Sequence, residues 1–573
     1  MTKKLKLAAT TLALVFSVSS LAACSSSEST EQSKSSPASS AQAESSGSML
    51  HIVNGKITPP VTITTVRGID PTAKFKNGET WDNNVHTKWA KETLGVDIKT
   101  LWSAQMADGS MNTKLRLMLS SGEKIPDIIS SIDKDTINMF IDSGKVMSVN
   151  EAFEKYAGQQ WKNILKEQPA AWQPFQRGEQ KMAIPLTQST VTSEPVLWIR
   201  KDWMDKLGLQ APKSLSDLEV IMDAFTNKDP NGNGKKDTIS LDFGMKDQFI
   251  GQPVGDISWL FGAYGSMPEG WSTDKNGKLA FGSIQPGIKP ALAKLKEWMD
   301  KDYIAEDIAL HDWNKIVENV TSGKVGIVAG LNWFADYPFY MLKQSDPKAD
   351  FQPYAFPSGP DGKKGQFVGN AFLGGIVISK DISQESLEAF FHYMNALVEV
   401  SKSEDPFVLK GFQENYEYAI LDGKAVMEDD KIPGGKVNTM KYTIPMGLPA
   451  PMSKIVEFER KVATQEPFTP SEIAWANAIG TNLNNPMLPL KGKATLLTIA
   501  QKDFDIPNLF TGPTTSTQAS RGEFLKKLEM DTFTQIIYGK VPVDEFDNFV
   551  KKWQSSGGDQ ITKEVNDWYE SVK

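Results

Sequence analysis

Beyond its first fifty residues the chain alternates short runs of β-branched residues with stretches whose apolar positions recur at helical spacing. Val61 to Arg67 (VTITTVR) alternates in this way and breaks at Gly68, the pattern of a strand that ends in a loop. His86 to Leu94 and Met111 to Ser120 keep a helical period, whereas Val96 to Ser103 and Asp127 to Ile132 read as strands. Strand, helix, strand, helix, strand predicts a parallel sheet with crossover helices. After helices around Phe140 and Tyr156, a second apolar run from Val196 to Arg200 opens a new α/β segment. Within it Ser214 to Phe225, capped by Ser214 or Ser216, and Ala291 to Met299 read as helices, and Lys324 to Gly330 as a buried strand. Phe372 to Ser379 is a similar strand, followed by a helix from Gln384 to Leu397. The remainder is mostly helical and ends in two amphipathic stretches, Val543 to Trp553 and Gln560 to Val572.

At 573 residues the chain exceeds what one core supports, so the expected fold is α/β with two lobes. Residues 58–190 form the first lobe, 191–365 the second and 366–400 a return to the first. Residues 401–573 form a helical region packing chiefly on the second lobe.

The N-terminus follows a different grammar. Lys3, Lys4 and Lys6 precede an uncharged apolar segment, Leu7 to Leu21, and Leu21-Ala22-Ala23 leads into Cys24, the only cysteine. The apolar segment is short for a membrane span, so residues 1–23 read as an export signal. Leu-Ala-Ala-Cys resembles a bacterial lipobox, which implies cleavage before Cys24, a lipid on its thiol and a place on the outer face of the cell membrane. Half of Ser25 to Ser48 is serine, and residues 24–57 read as a disordered tether with little to bury. Removing residues 1–23 takes away three lysines and moves the formal charge from −8 to −11, which argues against a nucleic-acid partner.

Candidate chemistry narrows the picture by what is missing. The four histidines lack metal-ligand spacing, and no nucleophile elbow, phosphate-binding loop or dinucleotide-binding glycine motif is present. A glycosidase-like pair among the 70 acidic residues stays open, because such a pair is defined by separation in space. DPNGNGKKD offers oxygen ligands at loop positions 1, 3, 5, 7 and 9 from Asp229, Asn231, Asn233, the Lys235 carbonyl and Asp237, with glycine at position 6. This spacing predicts a structural calcium ion, although position 12 is Ser240 in place of a bidentate glutamate; the same composition also makes a solvated Asn-Gly turn. No organic cofactor is implied. Of fifteen tryptophans, Trp81, Trp102, Trp259, Trp271 and Trp333, several of them near glycine or acid, are not obviously core and could stack on sugar rings, while Trp198, Trp203 and Trp298 sit at core spacing. Arg67, at the end of the first strand, is placed to face a ligand crevice or to make a surface ion pair.

VLWIRKDWMDKLGL, DPNGNGKKD, GLNWFADYP and the closing DEFDNFVKKWQSSGGDQITKEVNDWYE resemble extracellular solute-binding proteins of family 1, substrate receptors of ABC importers, above all the large lipoproteins related to alginate-binding proteins. The resemblance implies a type II periplasmic-binding-protein-like fold, hinge-joined lobes closing on a sugar, and a monomer that docks on a permease. It implies calcium in the Asp229–Asp237 loop, with Thr238 standing where relatives carry an acid. It implies a stacking role for Trp333 and a cleft position for Tyr418, with Trp81, Asn83 and Trp259 following by position. The expected function is capture of an oligosaccharide, with or without uronate units, for import. The rival readings are a surface polysaccharide hydrolase or lyase and a peptide-binding receptor.

Overall fold

Ile128 and Ile129 point to opposite faces of one strand, and that alternation organises the first lobe. In the computed structural model, which describes residues 50–572 apart from 71–72, 107, 132, 188–193, 247, 370–371, 401–412, 427, 446–450, 470–471, 474–475, 477–480 and 482, the chain builds two principal sheets. Cys24, the export signal and most of the tether lie outside the described residues.

In chain order the first lobe contributes β1 (Val61–Ile69), β2 (Val96–Gln105), helix α1 (Ser110–Ser120), β3 (Ile128–Ser131), α2 (Lys134–Asp142) and β4 (Ile184–Thr187). The second contributes β5 (Val196–Arg200), α3 (Leu215–Asn227), β6 (Ile239–Asp242), α4 (Ile288–Asp300), α5 (Trp313–Thr321), β7 (Val325–Gly330) and β8 (Phe351–Tyr354). The chain then returns through β9 (Phe372–Ile378) and α6 (Gln384–Val400) and closes with α7 (Leu488–Ala500), α8 (Ser516–Ile537), α9 (Glu545–Trp553) and α10 (Asp559–Val572).

The first sheet runs β2-β1-β3-β9-β4, with β1 parallel to β2 and β3 and β9 antiparallel to both its neighbours. Ile128, Ile376 and Ile378 meet Phe390, Met394 and Leu397 of α6 on one face, and Ile129 and Val377 meet Leu115 of α1 and Phe140 of α2 on the other. A sheet covered on both faces needs apolar residues on both, which is why these strands read as nearly continuous apolar runs. The second sheet runs β6-β7-β5-β8 and is covered the same way, Leu197, Ile199, Ile327 and Ala329 facing one core and Val196, Trp198 and Val328 the other. As expected, Ser214 caps α3, its hydroxyl accepting from Asp217 N–H while the Asp217 carboxylate accepts from Ser214 N–H. No helix among the described residues is long and apolar enough to cross a membrane.

Two expected boundaries shift. The first lobe takes in residues before 58, inside the stretch read as a tether. Ile52–Val53 and Lys56–Ile57 pair across Asn54-Gly55, both at positive φ (51° and 79°), and Ile57 enters the core of the first lobe. The return to the first lobe comes after Val368, since Gln366–Val368 pairs with Asp505–Pro507 before β9 begins. The C-terminal region packs chiefly on the second lobe and sends a smaller part to the first. Phe533, Phe549, Trp553 and Val565 do join the second lobe's core, but Met440 and Ile444 join the first.

Candidate functional site

Each sheet ends its parallel strands in loops that carry aromatic side chains, at the position where open α/β sheets bind ligands. On the first lobe, β1 ends at Ile69 and the following loop brings Phe75 and Trp81 against Tyr442. Phe75 stacks on Tyr442 with centroids 5.0 Å apart, and Trp81 meets Phe75 edge-on at 4.9 Å. Hydrogen bonds tie the 73–85 loop to the 413–445 segment. Tyr416 hydroxyl donates to Glu79 Oε1 at 2.6 Å, Lys76 Nζ donates to the carbonyls of Asn415 (2.6 Å) and Pro433 (2.8 Å), and Tyr442 hydroxyl donates to Lys74 carbonyl. Tyr442, Tyr416 and Phe75 were not foreseen, because residues so far apart in the chain share no local signal.

Arg67 lies beneath this cluster. It is only 2% exposed, with its guanidinium 5.7 Å from the Trp81 ring centroid and Nη1 donating to Thr443 carbonyl, while Nε and Nη2 have no partner. Burial lowers its pKa. It therefore supports Trp81 from below instead of projecting into open solvent or making a surface ion pair. Neighbouring His86, with Nε2 2.8 Å from Tyr393 hydroxyl, is held neutral by burial and by Arg67, which push its pKa down to about 3. Asn83 is exposed in the turn beside Trp81. Tyr418 is carried by the 413–445 segment but is buried, its carbonyl accepting from Asn415 N–H at 2.6 Å.

On the second lobe, β7 ends at Gly330 and Trp333 follows in a 3-10 turn. Its ring is half-buried and stacks on Trp313, the first residue of α5, with centroids 5.4 Å apart and planes 25° apart. Trp313 is 37% exposed and Tyr337 is exposed nearby in sequence. Polar groups gather beside this platform: Asp336 accepts from Asn485 Nδ2 at 2.5 Å and pairs with Lys491 at 3.4 Å. Trp259 is elsewhere. It is fully buried, stacked on Phe356 at 5.7 Å, with Nε1 donating to Asp256 carbonyl, and no face of the indole is open to a sugar. Trp271 is likewise core.

The Asp229–Asp237 loop folds around its own oxygens. Asn233 and Gly234 N–H groups donate to the Asp229 carboxylate at 3.1 and 3.0 Å, and Asn233 Nδ2 donates to Asp237 Oδ1 at 3.0 Å. The Asn233 side chain, and after it the Asn231 side chain, hold the Asp237 carboxyl below its usual pKa. The donor set suits a hard cation: two carboxylates, two amides whose oxygen and nitrogen exchange on a χ2 flip, and the Lys235 carbonyl. Thr238 and Ser240 are turned away, donating to Phe225 and Met222 carbonyls at 2.8 and 2.9 Å. No group of three or more His, Cys, Asp or Glu side chains suited to a metal occurs among the described residues, so the amides are indispensable to any site here.

Residues 72–396 match the family model of bacterial extracellular solute-binding proteins. Lipoprotein LipO of Bacillus subtilis is 24% identical over 494 residues, covering 86% of this chain and 90% of its own length. The polygalacturonan/rhamnogalacturonan-binding protein YtcQ of the same organism is 24% identical over 375 residues, 65% of this chain and 68% of its own. Among solved structures, an HMO-binding, ABC-transporter-associated solute-binding protein from Bifidobacterium longum infantis matches with a TM-score of 0.62 at 18% identity, over 89% of this chain and 99% of that one. This likeness establishes a shared two-lobed fold.

Proposed function

The chain belongs to the bacterial extracellular solute-binding proteins, and from that premise we propose that it captures an oligosaccharide between its lobes and delivers it to the membrane subunits of an ABC importer. The observation that carries the reading is the stacked, partly exposed Trp313–Trp333 pair at the carboxyl end of β7. Flat apolar faces beside Asp336, Asn485 and Lys491 suit a sugar, whose C–H faces stack while its hydroxyls take hydrogen bonds. The Phe75–Trp81–Tyr442 cluster on the first lobe offers the second wall. For a uronate unit the relevant cation is Lys491, since Arg67 is buried beneath Trp81. The names of YtcQ and of the Bifidobacterium protein, both sugar binders, support the ligand class.

Closure of the lobes follows from ligand affinity that differs between open and closed states, and no covalent step is required. A lipid on Cys24 holds the receptor on the outer face of the membrane, and calcium bound by Asp229, Asn231, Asn233, Lys235 and Asp237 stiffens the second lobe. Isothermal titration against oligogalacturonides, milk oligosaccharides and peptides tests the reading. Saturable binding of a glycan is expected; binding of peptides alone, or release of new reducing ends from a polysaccharide panel, would replace it. Cys24→Ala should leave sugar affinity intact and abolish membrane retention.

A further inference from the structure

His311 stands two residues before Trp313, in the short link between the 3-10 turn Ile308–Leu310 and α5. Its side chain is fully buried. Nδ1 lies 2.6 Å from Asp242 Oδ1 at the end of β6, and Nε2 lies 3.0 Å from Asp307 Oδ1. The second Asp242 oxygen accepts from Asn319 Nδ2 on α5 at 2.9 Å. The His311 carbonyl in turn accepts from the N–H groups of Met245 (3.1 Å) and Lys246 (3.2 Å). Asp312 then caps α5, accepting from Lys315 N–H at 3.1 Å, and pairs with Lys246 Nζ at 2.8 Å. One ring thus ties the end of β6 to α5 and to the 307–313 segment, immediately before Trp313.

A neutral imidazole has one donor and one acceptor nitrogen, so between two carboxylates it would turn a lone pair toward an acceptor. Only the imidazolium donates on both sides. Against the cost of burial, the bonds and charges of Asp242 and then Asp307 raise the His311 pKa above its usual 6.5. Asp242 from β6 and Asp307 from the same segment are the charged groups that act on the ring. Of the other titratable groups on neighbouring elements, Lys246 pairs with Asp312, and Tyr538, after α8, donates to the Glu306 carbonyl at 2.7 Å.

We propose that His311 is a positioning residue: as an imidazolium donating to Asp242 and Asp307 at once, it fixes the start of α5 so that Trp313 stands on Trp333 as a preformed shelf. A buried ion cluster adds little net stability over an apolar core of the same shape, and its use here is orientation. The consequence for sugar capture rests on the reading of the Trp313–Trp333 pair as the binding surface. Loss of the ring's proton breaks one of the two bonds and lets Trp313 leave its place, so the shelf is intact at low pH and loosens as the pH rises through the raised His311 value.

The experiment is fluorine-19 NMR of the detergent-solubilised full chain labelled with 5-fluorotryptophan, the Trp313 resonance being assigned by its loss in Trp313→Phe. From about pH 6 to about 9.5 that resonance should move along one titration curve with its midpoint above the unperturbed value of about 6.5. Asp307 is exposed, so Asp307→Asn leaves the core untouched, and its amide can donate to Nε2 of a neutral ring or accept from a charged one. In that variant the resonance should hold its low-pH position throughout. His311→Gln, which cannot donate to both carboxylates in this geometry, should displace the resonance at every pH. A Trp313 resonance indifferent to pH in the parent, an unaltered titration in Asp307→Asn, or an undisplaced resonance in His311→Gln would overturn the proposal. This readout needs no ligand. Affinity for the neutral glycan lacto-N-tetraose should fall about tenfold over the same range, the worth of one aromatic contact. A resonance that titrates while binding of this glycan is unchanged or absent would count against the sugar shelf and uphold His311 as the residue that places Trp313.

Discussion

Trp313 and Trp333 stack at 5.4 Å across the junction of a helix start and a strand end, and each keeps part of its ring in solvent. A tryptophan at the first position of α5 shares its helical face with Ile316, Val317 and Val320, all buried, yet the helix end carries it past the core. The pair is thus an apolar shelf anchored from behind. Replacing Trp313 with alanine removes one stacking face and exposes little core. Affinity for the cognate glycan should fall about tenfold, the upper range of an aromatic contact, with an unchanged circular dichroism spectrum. Calorimetry on the variant decides; undiminished affinity would move the ligand off this shelf.

Trp259 provides the opposite case. Its indole is enclosed by Phe356 and Trp298, and its N–H is satisfied by Asp256 carbonyl. Trp259→Ala should cost about 3–5 kcal/mol of stability through the cavity it leaves. The expected signature is an earlier unfolding midpoint in denaturant, with glycan affinity retained in the fraction that folds. Loss of affinity without loss of stability would restore Trp259 to the binding surface.

These two tryptophans mark how far the sequence is legible. Periodicity found β1, β2, β3, β5, β7, β9 and most helices, because each is long enough to bury a recognisable face. It missed β8, whose four residues FQPY contain a proline and become a strand only by pairing with the edge of β5. It assigned Asn54-Gly55 to the tether, although that dipeptide between apolar positions is a hairpin signal. Its neighbours Ser258 and Leu260 leave Trp259 undecided between core and surface, and only the packing of Phe356 and Trp298 shows that it is closed. The Phe75–Tyr442 stack and the Arg67–Thr443 bond join parts of the chain that no local pattern connects.

The Asp229–Asp237 loop makes a metal prediction. A cation that binds only the folded chain raises stability by RT ln(1 + [L]/Kd), about 2.7 kcal/mol at a hundred times Kd. Calcium should therefore raise the melting temperature of the chain and a chelator lower it, with magnesium less effective because it demands a tighter octahedron. Asp229→Ala should abolish the response. A melt indifferent to both calcium and chelator would leave the loop as a hydrogen-bonded turn.

Glu194 carries the clearest pH dependence. It stands just before β5, next to the crossing between the lobes, is 1% exposed and has no partner for either carboxyl oxygen. Burial first, then the Asp505 charge, raises its pKa to about 8, against a partial offset from Lys502. A carboxyl raised on folding holds its proton more tightly in the native state than in the unfolded chain. Its contribution is therefore favourable below the unfolded value near 4.5 and is progressively lost as pH rises toward about 8. Glu194→Gln, which mimics the protonated form, should match the parent near pH 4.5 and exceed its stability at pH 8 by on the order of 1–3 kcal/mol. Asp256, Glu269, Glu417 and Glu529 act in the same direction in both proteins, and His86 acts in the opposite direction below about pH 6.5. The quantity to follow is thus the gap between variant and parent in denaturant titrations across this range. A gap that does not widen between pH 4.5 and 8 would mean that Glu194 is ionised in the folded chain.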